Sequence, residues 1–336
     1  MSKGRRATTA LFAALAAWTM APAIAQAATV TVTGDDGTPI AMSPGAATGI
    51  RNMDPDLSVA LATTEKAYAL SITGPVAAAT SPRPCNSYSG PANIDYQGNG
   101  TYTVSVTTYT DTLCKAGAKS ATYQLAINAG VALAAPGGPV LTREPNGYSI
   151  QHQVPIAFNP GALGHEIRVA LGGVLAPDGS ISGASEQVYA DSTTGTVGVR
   201  FEKPGNYLMV ARATGYTGGA GQFFSPWSAP ITIRALAPFD FEIGSPSFPD
   251  NRGPRYKLRA ELREKTARGK VKIKLARGKH GRYHSIGKAK LRRGVLKKRF
   301  TLHRPGVYRV KFIFKGSATT APGTITQKIR IRRRYF

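Results

Sequence analysis

The stretch VYRVKFIF, residues 307–314, alternates apolar and cationic side chains with a period of two. Successive side chains of a β-strand point to opposite faces, so Tyr308 and Val310 would share one face while Arg309 and Lys311 share the other. A helix of the same residues would scatter the apolar groups around its axis. The pattern therefore predicts a strand with one buried face and one charged face.

A Gly-x-Tyr landmark begins this strand and occurs at two earlier places in the chain, at residues 100–102 and 205–207. Each copy starts an alternating strand, and a second alternating strand follows, as ATYQLAIN, APITIRA and TQKIRIR. The three tyrosines are 105 and 101 residues apart. That spacing is the size of one small β-sandwich domain, and a repeat of this length indicates tandem modules.

Through these tyrosines the chain resembles the immunoglobulin-like and fibronectin type III modules of secreted bacterial proteins. In such modules a tyrosine near the start of the penultimate strand hydrogen-bonds back to the preceding corner. Tyr102, Tyr207 and Tyr308 stand at the matching positions. The resemblance implies an all-β fold of three tandem β-sandwich domains. The middle module is the most similar to fibronectin type III, through PGNYLMVARATG followed by FSPWSAPITI.

The composition also favours an all-β chain. There are 37 glycines and 23 prolines, and after the N-terminal segment no apolar pattern of helical period continues for three turns. Strands of period two between Gly, Pro and Asn turns are typical of sandwiches. We predict domains at residues 28–130, 131–236 and 237–336, with joints rich in Ala, Gly and Pro.

The N-terminal 27 residues have the features of a secretory signal peptide. Arg5 and Arg6 contribute to a basic start, an apolar run follows at 10–20, and Ala25-Gln26-Ala27 fits the small-x-small cleavage rule. We predict export, to an extracellular or cell-surface location, by either the general or the twin-arginine route. A retained anchor is the alternative, although the apolar run is shorter than the ~20 residues that span a bilayer. No later stretch is apolar and long enough to span.

The two cysteines of the chain, Cys85 and Cys114, would enter an oxidising compartment on export, where a pair of thiols usually forms a disulfide. In the immunoglobulin-like modules that the chain resembles, a second core cysteine would occupy the positions of Val104, Met209 and Val310. The resemblance therefore implies that the bridge is a loop staple and does not join the two sheets.

The positive charge is concentrated in the last third of the chain. Residues 237–336 contain 29 Lys and Arg against 5 Asp and Glu, whereas residues 28–236 contain 11 against 13. Cations alternate with apolar residues in KVKIKL, residues 270–275, and in neighbouring stretches. Ten of these outward cations are predicted to contact a polyanion: Lys257, Arg259, Lys270, Lys272, Lys274, Arg309, Lys311, Lys328, Arg330 and Arg332.

The expected partner is bound by charge alone. Tyr256, Tyr308, Phe312 and Phe314 share the apolar register and should be buried, which leaves no exposed aromatic platform for stacking bases. The candidate ligands are anionic wall polymer, acidic polysaccharide, an anionic lipid surface or extracellular DNA, bound without sequence specificity. A protein partner is a further alternative. The alternative without a ligand is that the cations only solubilise the domain and discourage edge-to-edge pairing.

Motifs for catalysis or metal binding are weak. No nucleophile elbow, phosphate loop or zinc-protease helix occurs, so we predict no enzyme, no cofactor and no metal. His280, His284 and His303 stand among cations that repel a metal ion. Residues 52–56 alternate like half of a calcium loop, but Pro55 interrupts them, and a turn is expected instead.

Three functions are compatible with these features. The first is a secreted, non-catalytic scaffold or adhesion protein whose basic domain binds anionic polymers. The second is a passive spacer of immunoglobulin-like modules without a ligand. The third is an accessory binding subunit of an exported hydrolase.

Overall fold

The computed structural model describes residues 28–75, 80–87, 91–145, 147–157, 159–182, 185–190, 195–217, 221–242, 246–247 and 255–331. The predicted signal peptide, residues 1–27, lies outside this described part. The predicted all-β fold class is confirmed, because every regular element within the described residues is a strand. None of the described residues forms a helix long and apolar enough to cross a membrane.

The first nine strands form two sheets, ordered β2-β1-β4-β7 and β3-β9-β8-β5-β6. The short β3 runs parallel to β9, and the other pairs are antiparallel. The strands are β1 (Ala28–Thr33), β2 (Pro39–Ala41), β3 (Ala47–Ile50), β4 (Asp56–Leu61), β5 (Ala67–Thr73), β6 (Thr80–Asn86), β7 (Pro91–Asn93), β8 (Gly100–Tyr109) and β9 (Lys119–Ile127).

The middle strands repeat this arrangement in the orders β10-β12-β17 and β11-β20-β18-β13-β16, with β11 parallel to β20. The middle strands also include two elements that the first nine lack. One is the small hairpin β14-β15, and the other is β19, which pairs with β18. The strands are β10 (Ala132–Leu133), β11 (Val140–Leu141), β12 (Gln151–Ala157), β13 (Gly164–Leu171), β14 (Val174–Leu175), β15 (Ile181–Ser182), β16 (Ser185–Ala190), β17 (Thr196–Arg200), β18 (Gly205–Thr217), β19 (Gly221–Phe224) and β20 (Ile231–Leu236).

The last six strands are ordered β21-β24-β23-β22-β25-β26. The strands β23 and β24 pair only beside the turn that joins them, at two registered positions, so the sheet folds over itself there and encloses a core. The strands are β21 (Arg255–Glu261), β22 (Gly269–Arg277), β23 (His284–Arg292), β24 (Val295–Thr301), β25 (Gly306–Phe314) and β26 (Gly323–Ile331).

The same strand order therefore occurs three times. One layer is β9-β8-β5-β6, then β20-β18-β13-β16, then β26-β25-β22-β23, and the facing layers are β1-β4-β7, β10-β12-β17 and β21-β24. This is the order of immunoglobulin-like and fibronectin type III-like sandwiches. The division into independent domains at residues 130 and 236 stays a prediction.

The tyrosine hydroxyls of the Gly-x-Tyr landmarks all bond to the backbone four residues earlier. Tyr102 donates to the carbonyl of Gly98 at 2.9 Å, and Tyr207 donates to that of Lys203 at 2.9 Å. Tyr308 donates to the carbonyl of Arg304 at 2.6 Å. Each bond fixes the corner that precedes a long strand. The tyrosine ring is buried while its hydroxyl keeps a hydrogen-bond partner.

Within the described part, buried apolar side chains form a large cluster from Ala28 to Ala235 and another from Phe239 to Ile331, and a small third cluster comprises Ala170, Ile181 and Val210. The first strand set, β1–β9, and the middle strand set, β10–β20, thus share continuous apolar packing, and β21–β26 form the last strand set. At their joint, the amide of Met53 donates to the carbonyl of Pro160 at 2.8 Å. Gly161 has φ +71°, and a Cβ there would lie 2.3 Å from the side-chain oxygen of Asn52, so only glycine fits this close approach.

Residues 52–54 form the turn expected in place of a calcium loop. The side-chain oxygen of Asn52 accepts a 3.0 Å hydrogen bond from the amide of Asp54. The side-chain amide of Asn52 donates to the carbonyl of Thr33 at 3.4 Å. Asn52 is therefore a structural residue of the joint.

A buried carboxylate lies at the joint between the middle and last strand sets. Asp240 is 3.2 Å from the guanidinium of Arg263 and 3.7 Å from that of Arg143, a residue of the middle set. Burial raises the pKa of Asp240, and the two arginines oppose that shift. Arg234 adds two hydrogen bonds across the same joint, to the carbonyls of Ser317 and Ala318, both at 3.3 Å.

An arginine-aromatic stack stiffens the middle strand set. The guanidinium of Arg212 lies 3.6 Å from the ring centroid of Phe224 and 4.4 Å from that of Trp227. Arg168 packs on the same indole at 4.9 Å. The carboxylate of Glu166 accepts hydrogen bonds from both arginines. Cation–π contacts and paired charges thus tie β13 and β18 to the segment that leads to β20.

The predicted disulfide is confirmed. Cys85 lies on the edge strand β6 and Cys114 lies in the turn between β8 and β9, with their Cα atoms 6.2 Å apart. The bridge crosses β5 within one sheet and does not connect the two layers. It is the loop staple that the resemblance implied.

Replacing both cysteines by serine should lower the free energy of unfolding by about 3–4 kcal/mol, because a closed loop with a sequence separation of 29 residues regains freedom in the unfolded chain. Urea titration of the oxidised protein and of C85S/C114S measures the difference. Dithiothreitol should destabilise the unaltered protein and leave the double variant unchanged. A loss below about 1 kcal/mol would contradict this role of the bridge.

His165 on β13 should make stability depend on pH. Burial lowers the pKa of His165 to about 4, from 6.5 as the ordinary value. Because the unfolded chain then binds the proton more readily, the stabilisation is complete above pH 6.5 and is lost as the pH falls towards 4. The effect is on the order of 2–3 kcal/mol. Unfolding between pH 4 and 7 should show a flatter pH profile in His165→Gln, and identical profiles would refute the assignment.

Candidate polyanion-binding face

The outward surface of the β23-β22-β25-β26 layer carries ten cations, which we call the cationic face. Their positions follow from strand alternation, since Val271, Ile273 and Leu275 on β22 are buried in the core while the lysines between them point outward. The cationic face comprises Lys270, Lys272, Lys274, Lys288, Lys290, Arg292, Arg309, Lys311, Lys328 and Arg330.

Strand register sets cations of the cationic face directly opposite one another on neighbouring strands. The opposed pairs are Lys270 and Lys290, Lys272 and Lys288, Lys274 and Lys311, and Arg309 and Lys328. Cβ atoms of directly opposed residues lie ~5 Å apart. Each pair then costs about 0.5 kcal/mol at physiological salt, even in the high dielectric of water. The layer therefore stores a repulsion that a bound anion would relieve.

The described acidic residues of the last strand set have partners other than the ten cations of the cationic face. Lys265 pairs with Glu242 at 2.7 Å and with Glu261 at 3.6 Å, and Asp240 pairs at the joint described above. Glu264 accepts hydrogen bonds from the amide and hydroxyl of Thr266. Within the described residues, none of the ten cations of the cationic face forms an ion pair. No described acidic neighbour therefore neutralises their charge.

Seven of the ten predicted contact residues lie on the cationic face: Lys270, Lys272, Lys274, Arg309, Lys311, Lys328 and Arg330. Lys257 and Arg259 lie on the other layer, on β21, so the structure does not bring them together with the seven. Arg259 pairs there with Glu261 at 2.5 Å. Arg332 lies outside the described residues.

Three cations of the cationic face were not among the predicted contact residues. Lys288, Lys290 and Arg292 stand on β23, whose HSIGKAKLR pattern also alternates apolar and cationic residues at its C-terminal end. A bulge near Ile273 and Lys274 shifts the register of β22 and β23. The alternation was a usable signal, but only the pairing with β22 shows that these cations join the same face.

Arg309 differs from the other members of the cationic face because its guanidinium is already bonded. It donates to the carbonyls of Gly278 and Gly281 at 3.1 and 3.0 Å. Its guanidinium carbon lies 5.0 Å from the ring centroid of Tyr283, and the ammonium nitrogen of Lys311 lies 5.2 Å from the same ring. Arg309 therefore holds the turn between β22 and β23 against β25.

The four aromatic residues that share the apolar register of the last strand set are buried, as the alternation predicts. Tyr256, Tyr308, Phe312 and Phe314 are all below 5 % exposed, and Phe314 stacks on Phe239 with ring centroids 5.0 Å apart. Tyr283 is the half-buried ring beside the cationic face, and it is covered by cations. The surface can thus bind phosphate, sulfate or carboxylate groups by charge, and its described residues include no row of open rings for bases.

No group of three His, Cys, Asp or Glu side chains that could hold a metal ion occurs in the part of the chain that the structure describes. His280 and His303 are exposed on different turns, and His284 begins β23. These three histidines therefore do not assemble a site.

The chain matches no protein-family model and no curated protein. Among solved structures, it is similar to the chicken CNTN1 FN1–FN3 domains, with 12 % identity over 84 % of this chain and 95 % of that one, and a TM-score of 0.25. It is also similar to a tetra-tandem repeat in the extending region of a large adhesion protein, with 11 % identity over 91 % of each chain and a TM-score of 0.30.

Arg309→Gln should destabilise the protein by about 1–3 kcal/mol, because it removes two charge-assisted hydrogen bonds and a ring contact. Lys272→Gln is the matched control on the same face. It removes one charge from a repulsive pair and should leave stability equal or slightly higher. Urea unfolding of both variants distinguishes the two roles. Equal effects would show that the bonds of Arg309 contribute nothing.

Proposed function

We propose that this protein is an exported, non-catalytic scaffold or adhesion protein whose last strand set binds anionic polymers through the cationic face. The observation that carries the proposal is the set of ten outward cations on one layer, none of them ion-paired within the described residues. The joints to the middle set keep this layer on a chain of packed sandwiches. The first two strand sets would then extend away from the bound surface.

Two energetic terms support this proposal. A bound polyanion relieves the repulsion between opposed cations, which sums to about 2 kcal/mol over the four pairs. Binding also releases the counterions condensed on the polymer, which gives affinity at low salt without any sequence readout. A surface of mixed charge would provide solubility equally well, so solubility alone does not account for a face whose described charged residues are all cations.

The chemistry of the cationic face favours extended ligands. Strands are 4.7–4.9 Å apart in a sheet, so four adjacent strands present a flat field of charge on which several anionic groups can lie together. Anionic wall polymer, acidic polysaccharide, an anionic lipid surface and extracellular DNA all offer such groups. The disulfide supports a location in an oxidising compartment, where these partners occur.

The test is a salt series on the whole chain with immobilised poly(glycerol phosphate), polygalacturonate, duplex DNA and anionic vesicles. Affinity should fall linearly with salt on logarithmic axes. K272Q/K274Q/K311Q should weaken binding and reduce the slope by about two to three, because each lost lysine removes about one phosphate contact.

The matched control is R255Q/K297Q/R299Q, which removes the same charge from the outer face of the β21-β24 layer. Its slope should change by less than about one. Equal losses in both triple variants would mean that net charge alone drives binding, and the cationic face would have no special role. Failure of the unaltered chain to bind every polymer at low salt would refute the proposal and favour a passive spacer.

A further inference from the structure

A cleft of about 560 Å³ opens where β22 begins and β23 ends. Five of the seven residues that line it are cations, and the other two are Gly269 and Leu291. The five are Arg268, Lys270, Lys290, Arg292 and Arg293. We call this the arginine cleft. Lys270, Lys290 and Arg292 belong also to the cationic face, so the cleft is a concave end of that flat surface.

The walls of the arginine cleft are held by the backbone. Arg293 and Gly294 form the two-residue turn between β23 and β24. The amide of Gly294 donates to the carbonyl of Ala267 at 3.0 Å, and its carbonyl accepts from Leu262 at 2.8 Å. A Cβ on Gly294 would lie 2.8 Å from the carbonyl oxygen of Glu264. The turn is therefore packed closely on the loop that precedes β22, and both walls are fixed relative to each other.

Arg293 occupies a backbone conformation that arginine rarely adopts. Its φ is +48°, and that of Gly294 is +72°, as in the hairpin turns that usually carry Asn-Gly. Asn or Gly would be less strained at the first of these positions. Strain held at a cavity wall points to a use for the side chain. Here it adds one more guanidinium to a cleft that already contains two.

Arginine is concentrated in the cleft, whereas lysine dominates the rest of the cationic face. A guanidinium presents a planar set of donors that can hold two oxygens of one phosphate, while an ammonium acts as a point charge. Three arginines that line one cleft with fixed walls form a local binding site, in contrast to the diffuse charge of the flat lysine surface.

We propose that the arginine cleft binds a run of closely spaced phosphate groups, so that phosphate-linked chains are held more tightly than carboxylate polymers. Each tetrahedral phosphate has enough oxygens to bridge two arginines. The non-bridging oxygens of a phosphodiester also lie on a slender chain that can enter the cleft, whereas each carboxylate of a polyuronate is attached to a bulky sugar ring. This inference rests on the proposed function, because it names the polymer class that the last strand set prefers.

Tripolyphosphate is the direct probe, since it is too short to cover the cationic face. Calorimetric titration of the whole chain should detect binding, and R268Q, R292Q and R293N should each weaken it about tenfold. R255Q/K297Q/R299Q, on the other layer, should keep the affinity within about twofold. If cleft variants and this control bind tripolyphosphate equally, the inference is wrong.

Arg293→Asn separates binding from folding. Asparagine tolerates positive φ better than arginine, so the melting temperature of R293N should equal or exceed that of the unaltered protein while tripolyphosphate binding weakens. Weaker binding together with a lower melting temperature would contradict the strain argument. The side chain would then support the turn.

Long polymers distinguish this inference from the proposed function. Poly(glycerol phosphate) should depend on both the cleft arginines and Lys272, Lys274 and Lys311, whereas polygalacturonate should depend on the lysines alone. Equal dependence of both polymers on the cleft would remove the phosphate preference. Polymer binding without tripolyphosphate binding would refute the arginine cleft and leave the proposed function intact. Absence of all binding would refute both.

Discussion

The two-residue period of the strands is the constraint on which the rest of the structure depends. On β22 and β25 every second side chain is buried, and the intervening ones lie at or near the surface, except Ala276 at the end of β22. Burial of each Val, Ile, Leu or Phe contributes roughly 1.5–3 kcal/mol relative to exposure, far more than the repulsion between neighbouring cations costs. The apolar half of the pattern therefore decides the fold and carries the charged half with it, to one surface.

Such a surface is stable only if its edges and corners are fixed. Tyrosine hydroxyls close the corner before β8, β18 and β25, and Arg309 holds the turn beside β25 by two backbone carbonyls. One cation of the cationic face is thus used by the fold itself. A ligand therefore meets a rigid platform, on which lysines keep their freedom and cost less to orient than a mobile tail would.

The joints determine how charge is distributed between strand sets. Asp240 lies between an arginine of the middle set and one of the last set, and the remaining described acids of the last set lie near that joint or its neighbouring loops. Opposite charges pair where two strand sets meet, whereas like charges lie together on the outward layer, which no neighbouring set covers. This separation of roles explains how a segment with 29 basic residues can contact its neighbour and still present an uncompensated face.

Local alternation and the Gly-x-Tyr landmarks were sufficient to predict the all-β class and the long strands, because strand side chains must alternate whatever they pair with. The same logic predicted seven residues of the cationic face. Local alternation does not predict which strands pair. That pairing places Lys288 and Lys290 on the cationic face, Lys257 on the other layer, and Arg268 and Arg293 in one cleft. Pairing joins residues far apart in sequence, so only the tertiary structure decides it.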